Sequence, residues 1–173
     1  MSWSHSEADK NQQMFEIDGT IFTKEIKPKT LKAWEPFDDC RQILFSLQYY
    51  GDEELEYGDW RHPWIAGLSL LRTVGHVLDK VDSKKSNLHD DIIKNYYSKW
   101  KTNELDKKIF FEFICEERNN ILKTFDVGAE LIKGSDEVNL VYKTGENALG
   151  LFRQAIYWWR YQLISIEIQL KTD

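Results

Sequence analysis

Ile109-Phe110-Phe111-Glu112-Phe113-Ile114-Cys115-Glu116-Glu117-Arg118-Asn119-Asn120-Ile121-Leu122-Lys123 is the stretch that decides the fold. Apolar residues return every three or four positions, the spacing of a helix packed along one face. Asn103 and Asp106 stand just upstream as an entry cap, so the pattern predicts a helix over about Leu105–Phe125. Stepping about 100° per residue from Arg118, the nearest side chains in angle are Phe111, Leu122, Phe125, Ile114, Cys115 and Ile121, while Glu112, Glu116, Asn119 and Lys123 point away. Arg118 is therefore expected at the centre of the apolar stripe, where a leucine belongs. A guanidinium keeps its proton, and leaving one buried and unpaired costs on the order of 3–5 kcal/mol. It either ties this helix to an acid on another helix, or lines a cleft or dimer seam and meets a ligand phosphate or substrate.

Working outward, four more helices are predicted. The first runs from about Pro36 to Tyr50, with Phe37, Cys40, Leu44 and Leu47 as its stripe. The second runs from Pro63 to about Val81, with Trp64, Leu71, Val74, Leu78 and Val81 toward the core. The third spans about Leu88–Trp100, opened by Asn87 and Asp90 in an N-cap arrangement. The fifth covers roughly Asn147–Leu170. Between the first two lies Gly51–Asp59, expected to be a solvated acidic loop or a docking surface for a basic partner, since it carries Asp52, Glu53, Glu54, Glu56 and Asp59. An Asp18-Gly19 pair between short apolar runs predicts a hairpin over Phe15–Phe22. Val138–Tyr142 reads as another strand able to pair with it. The fold class is mainly α: a five-helix bundle with a small antiparallel β-hairpin or sheet appendage.

A chain of 173 residues with 42% hydrophobic residues, seven Trp, eight Tyr and nine Phe can build one core without crosslinks. Residues 1–13 are expected to be a disordered polar tail and 14–173 a single helical domain with no internal repeat. The net charge of -6 disfavours broad binding to nucleic acid or anionic lipid. RNA or a nucleotide remains possible only through a local basic pocket. Cys40 and Cys115 read as buried, unpaired, reduced thiols. The longest uncharged apolar run, Trp64–Leu71, is far shorter than the roughly 20 residues of a membrane span. A cytoplasmic protein with no membrane association is expected.

On the second helix Arg72, His76 and Asp79 share a face at i, i+4 and i+7 spacing. His76 is expected to be partly buried there. The trio is either acid–base machinery, with Arg118, His76 and Asp79 the candidate catalytic residues, or a surface network. His62 and His76 lie fourteen residues apart, about 21 Å along a helix at about 1.5 Å per residue, and cannot share a metal ion. No zinc spacing, phosphate-cradling glycine loop or nucleophile elbow is present, and no cofactor or metal is expected.

The run Glu116–Lys123 resembles the Arg-Asn segment of HEPN domains, small helical bundles common in bacterial toxin–antitoxin and antiphage systems. The resemblance covers about eight residues. It implies a dimeric bundle and, in the family's ribonucleases, an Arg followed by four to six residues and then a His at the dimer seam. Arg118 matches the arginine and Asn119 the polar residue after it. Lys123, Thr124 and Phe125 occupy the positions where the histidine would fall. Phe113–Leu122 and Leu70–Leu78 also resemble uncharacterised bacterial helical proteins.

The fifth helix carries a core row of Leu149, Phe152, Ile156, Trp159, Leu163, Ile166 and Leu170, and a second row of Tyr157, Tyr161, Ile164 and Ile168. That second row either packs within the monomer or forms a homodimer seam. Three functions follow as expectations. The first is a helical binding or regulatory module, homodimeric or with another protein partner, with Arg118, Asn119 and Arg72 as ligand contacts. The second is a divergent metal-independent ribonuclease using Arg118 and His76. The third is a small nucleotide-binding protein whose phosphate meets Arg118.

Overall fold

The computed structural model describes residues 29–135 and 137–172. The polar stretch 1–13 and the hairpin expected over Phe15–Phe22 lie outside them. The described chain is mainly helical with one small two-stranded antiparallel sheet. Its helices are α1 Trp34–Leu47, α2 Asp52–Glu56, α3 Arg61–Lys80 and, after a 3-10 turn at Asp82–Lys85, α4 Asn87–Thr102. A continuous helical rod follows: α5 Glu104–Lys107, a wide π-type stretch at Lys108–Cys115, and α6 Glu116–Thr124. The chain then forms β1 Ala129–Lys133 and β2 Val138–Tyr142 and ends in α7 Ala148–Thr172.

The boundaries follow local chemistry. Asn103 Oδ1 accepts the Asp106 N–H at 3.1 Å, which caps the rod as its spacing predicts. The α4 cap is Ser86, whose hydroxyl accepts the His89 N–H, and not Asn87 or Asp90; Asp90 faces Lys94 one turn on. The acidic segment after α1 is no simple loop. Burial of Leu55 pins a short helix there, and Glu54 Oε2 takes the Gly51 N–H at 2.9 Å. Val138–Tyr142 is a strand, as expected, and among the described residues it pairs with Ala129–Lys133, with Leu131 opposite Leu140.

The long α7 is the central element. α1 packs on α3 and α7, α4 packs on α7, and the rod lies against α3 and α7. Phe37, Cys40, Leu44 and Leu47 of α1 are buried, as are Trp64, Leu71, Val74 and Leu78 of α3. Val81, expected in the core, is 46% exposed because α3 has already ended. Trp100, Phe110, Trp158 and Trp159 form the centre, with ring centroids 4.7–5.6 Å apart. Two glycines of α3 allow that approach. A Cβ at Gly67 would sit 2.5 Å from the Phe152 ring, and one at Gly75 would sit 3.1 Å from Phe110. The second row of α7 is partly covered within the chain. Ile164 is buried and Tyr157 and Tyr161 are half-buried, leaving Ile168 exposed, because α7 packs on both sides within the chain.

Candidate functional site

The Glu116 N–H reaches back to the Phe111 carbonyl, five residues away instead of four. Such wide turns advance each residue by less than the regular helical step. The buried face of the rod runs through Phe110, Phe113, Ile114, Glu117 and Ile121, while Leu122 and Phe125 are 57% and 64% exposed. The ionisable side chain that enters the apolar face is Glu117, not Arg118. Arg118 is half-buried beside it and donates to Asn119 Oδ1 at 3.1 Å. No carboxylate lies within ion-pair range of Arg118 among the described residues.

Three carboxylates without any exposure tie distant segments together, none of them expected from the sequence. Glu117 accepts from Trp64 Nε1 at 3.1 Å, the Gly128 N–H at 2.8 Å and the Tyr142 hydroxyl at 3.2 Å. Glu167 of α7 accepts from the N–H groups of Thr30 and Leu31, the Thr30 hydroxyl and Trp34 Nε1, at 2.6–3.0 Å. Asp82 accepts the N–H groups of Lys32 and Ala33 and pairs with Lys85 Nζ at 2.6 Å. Each has its lone pairs occupied, the arrangement a buried carboxylate requires. The sequence carries a signal for Glu167, which lies at i+4 from Leu163 on the core row of α7, whereas Glu117 lies at i+4 from Phe113, off the stripe expected around Arg118.

Arg72, His76 and Asp79 of α3 do converge, on a cavity of about 390 Å³ between α3 and α4. Lys94, Tyr97 and Ser98 of α4 close the other side, over a floor that includes Trp100 and Ile93. His76 and Asp79 are exposed at the rim, so His76 is not the partly buried residue expected. Asp79 faces Lys80 at 2.7 Å, and the hydrogen bond from that ammonium holds its carboxyl below the usual range. Lys94 is engaged by Asp90. Arg72 differs from both: it is half-buried, lies 5.6 Å over the Phe110 ring, and meets no carboxylate among the described residues. Cys115, half-buried where full burial was expected, has its thiol pushed up by burial and drawn partly back by Arg72 and Arg118. Arg72 and Arg118 thus both lie close enough to Cys115 to act on its thiol.

Arg118 and His76 are not brought together within one chain. The rod runs antiparallel to α3, since Glu117 bonds Trp64 while Phe110 covers Gly75. That puts Arg118 near Trp64 at the start of α3 and His76 twelve residues further along it, about 18 Å at about 1.5 Å per residue. Lys123 is exposed at the position where the HEPN histidine would fall. Among the described residues no group of His, Cys, Asp and Glu could hold a metal ion, and no helix is long and apolar enough to cross a membrane. Comparisons with protein-family models, curated proteins and solved structures returned no match.

Proposed function

We propose that this chain is a HEPN-like helical binding or regulatory module whose α3–α4 cavity takes a phosphate-bearing ligand on Arg72. The observation that carries this reading is the Arg72 guanidinium: half-buried on an aromatic ring, at the mouth of a cavity, with no carboxylate within ion-pair range among the described residues. A half-buried permanent cation favours an anionic partner, and its planar fork matches phosphate. His76 stands at the same rim as a second donor, and Tyr97 with Trp100 offers aromatic surface of the kind a nucleobase uses. A nucleotide is the ligand class that uses both ends of this cavity.

The catalytic alternative, a ribonuclease built on Arg118 and His76, would need the two residues to meet across two copies of the chain. A homodimer would use the parts of Tyr157 and Tyr161 left uncovered in the chain, together with the exposed Ile168 of α7. Free thiols at Cys40 and Cys115 support a cytoplasmic setting. The deciding experiment is a thermal-shift and calorimetric screen with inorganic phosphate and mononucleotides on wild type and Arg72→Ala. Stabilisation of wild type at millimolar nucleotide, lost in an Arg72→Ala protein that still melts cooperatively, is the expected result. Equal responses from the two proteins, or none from wild type, overturn the assignment.

A further inference from the structure

A second cavity, of about 360 Å³, opens between the end of α4, the start of the rod and the middle of α7. Asp106, Gln162 and Ser165 line it with Tyr96, Trp100 and Tyr161. Asp106 is half-buried, and both of its side-chain bonds fall on Oδ1: from Trp158 Nε1 at 2.7 Å and from Gln162 Nε2 at 3.4 Å. Among the described residues no Lys, Arg or His lies within ion-pair range of it. This differs from Glu117, Glu167 and Asp82, whose oxygens are all engaged by protein donors. A carboxylate drawn partly out of water without a cation is costly to hold, and burial accordingly pushes the Asp106 carboxyl upward.

We infer that this cavity is a binding site for a small organic ammonium ion, with Asp106 as its counter-ion and the aromatic side chains of Tyr96, Tyr161 and Trp100 among its lining. A protonated amine supplies the charge that Asp106 lacks and donates to the oxygen left over by Trp158 and Gln162. Aromatic faces attract such cations, the more strongly where water is thinned out. Lys99 stands at the rim, exposed, with its ammonium 5.0 Å over the Tyr96 ring and out of reach of Asp106. It shows that the Tyr96 face accepts an ammonium group, and it limits the site to ligands small enough to pass. The site is separate from the Arg72 cavity, with Trp100 as the one lining residue common to both.

The test is an NMR and calorimetric titration with phenethylammonium chloride, its uncharged counterpart 2-phenylethanol serving as control. The Trp158 indole N–H, which donates to Asp106, is the reporter. The variant is Asp106→Asn, which keeps an acceptor for Trp158 and removes only the charge, with cooperative melting confirming its fold. Saturable binding of the ammonium at about millimolar concentration, at least about tenfold weaker for the alcohol and for the variant, is expected. Arg72→Ala should leave this binding unchanged, so its outcome is independent of the anion site. Equal binding of charged and uncharged probes, an Asp106→Asn protein that binds like wild type, or no saturable shift overturns the inference.

Discussion

Trp64 of α3 donates its indole N–H to the Glu117 carboxylate at 3.1 Å, and through Glu117 it is joined to Gly128 and the Tyr142 hydroxyl. One acid thereby fixes the start of α3, the loop before β1 and the end of β2. Replacing it by an apolar residue of similar size leaves three buried donors without an acceptor, each costing about 1–3 kcal/mol. Glu117→Leu is therefore expected to lose about 3–5 kcal/mol in urea unfolding. A loss below about 1 kcal/mol would show that the carboxylate is dispensable.

Tyr142 gives this network a pH signature. Burial, and then the charge of Glu117 and the bond to it, hold the phenol above its ordinary value of 10.0. The folded state keeps a proton that the unfolded state releases, so stability is intact below about pH 10 and falls as pH rises further. The slope attributable to this group is at most about 1.4 kcal/mol per pH unit. Tyr142→Phe should be less stable at neutral pH and flatter above pH 10 in denaturation measured across that range. A parallel decline in both proteins would rule out Tyr142 as the source.

Gly67 offers a test of helix packing in which two effects oppose one another. Alanine in a helix interior is favoured over glycine by about 1 kcal/mol. At Gly67 the new methyl would lie 2.5 Å from the Phe152 ring, itself fully buried, and overpacking of a core costs about 1–3 kcal/mol. The clash prevails, and Gly67→Ala should lower the melting temperature. A rise would mean that the ring gives way freely.

Glu167 holds Thr30, Leu31 and Trp34 against α7. Glu167→Ala should cost about 3 kcal/mol or more, and the amides of Thr30 and Leu31 should lose hydrogen-exchange protection before those of α3 and α7 do. Simultaneous loss of protection across all these segments would show that the N-terminal segment has no separate opening.

The helices were legible because their stripes are regular: Phe37, Cys40, Leu44 and Leu47 admit one phase only. The rod was not. Ile109, Phe110, Phe111, Phe113, Ile114 and Cys115 surround the axis, so its buried side could not be fixed from them, and along the whole rod the packed face lies one residue earlier than the stripe centred on Arg118. That displacement exchanged Arg118 for Glu117. β1 was missed because Ala129, Glu130 and Lys133 are poor strand formers, held there by the Val138–Tyr142 edge. The face of Arg72, His76 and Asp79 was readable from its spacing, whereas the Asp106 cavity was not. Asp106 had read as part of a helix cap, and its carboxylate faces α7 from more than fifty positions earlier.

The clasp between Thr30 and Glu167 joins positions 137 apart in sequence. During synthesis it cannot close until the ribosome has released the chain through Glu167. Until then the Thr30–Ala33 segment lacks that acceptor, and the apolar faces of α1 and α3 lack the cover of α7. The nascent protein has to pass through this half-covered stage, where aggregation competes with folding.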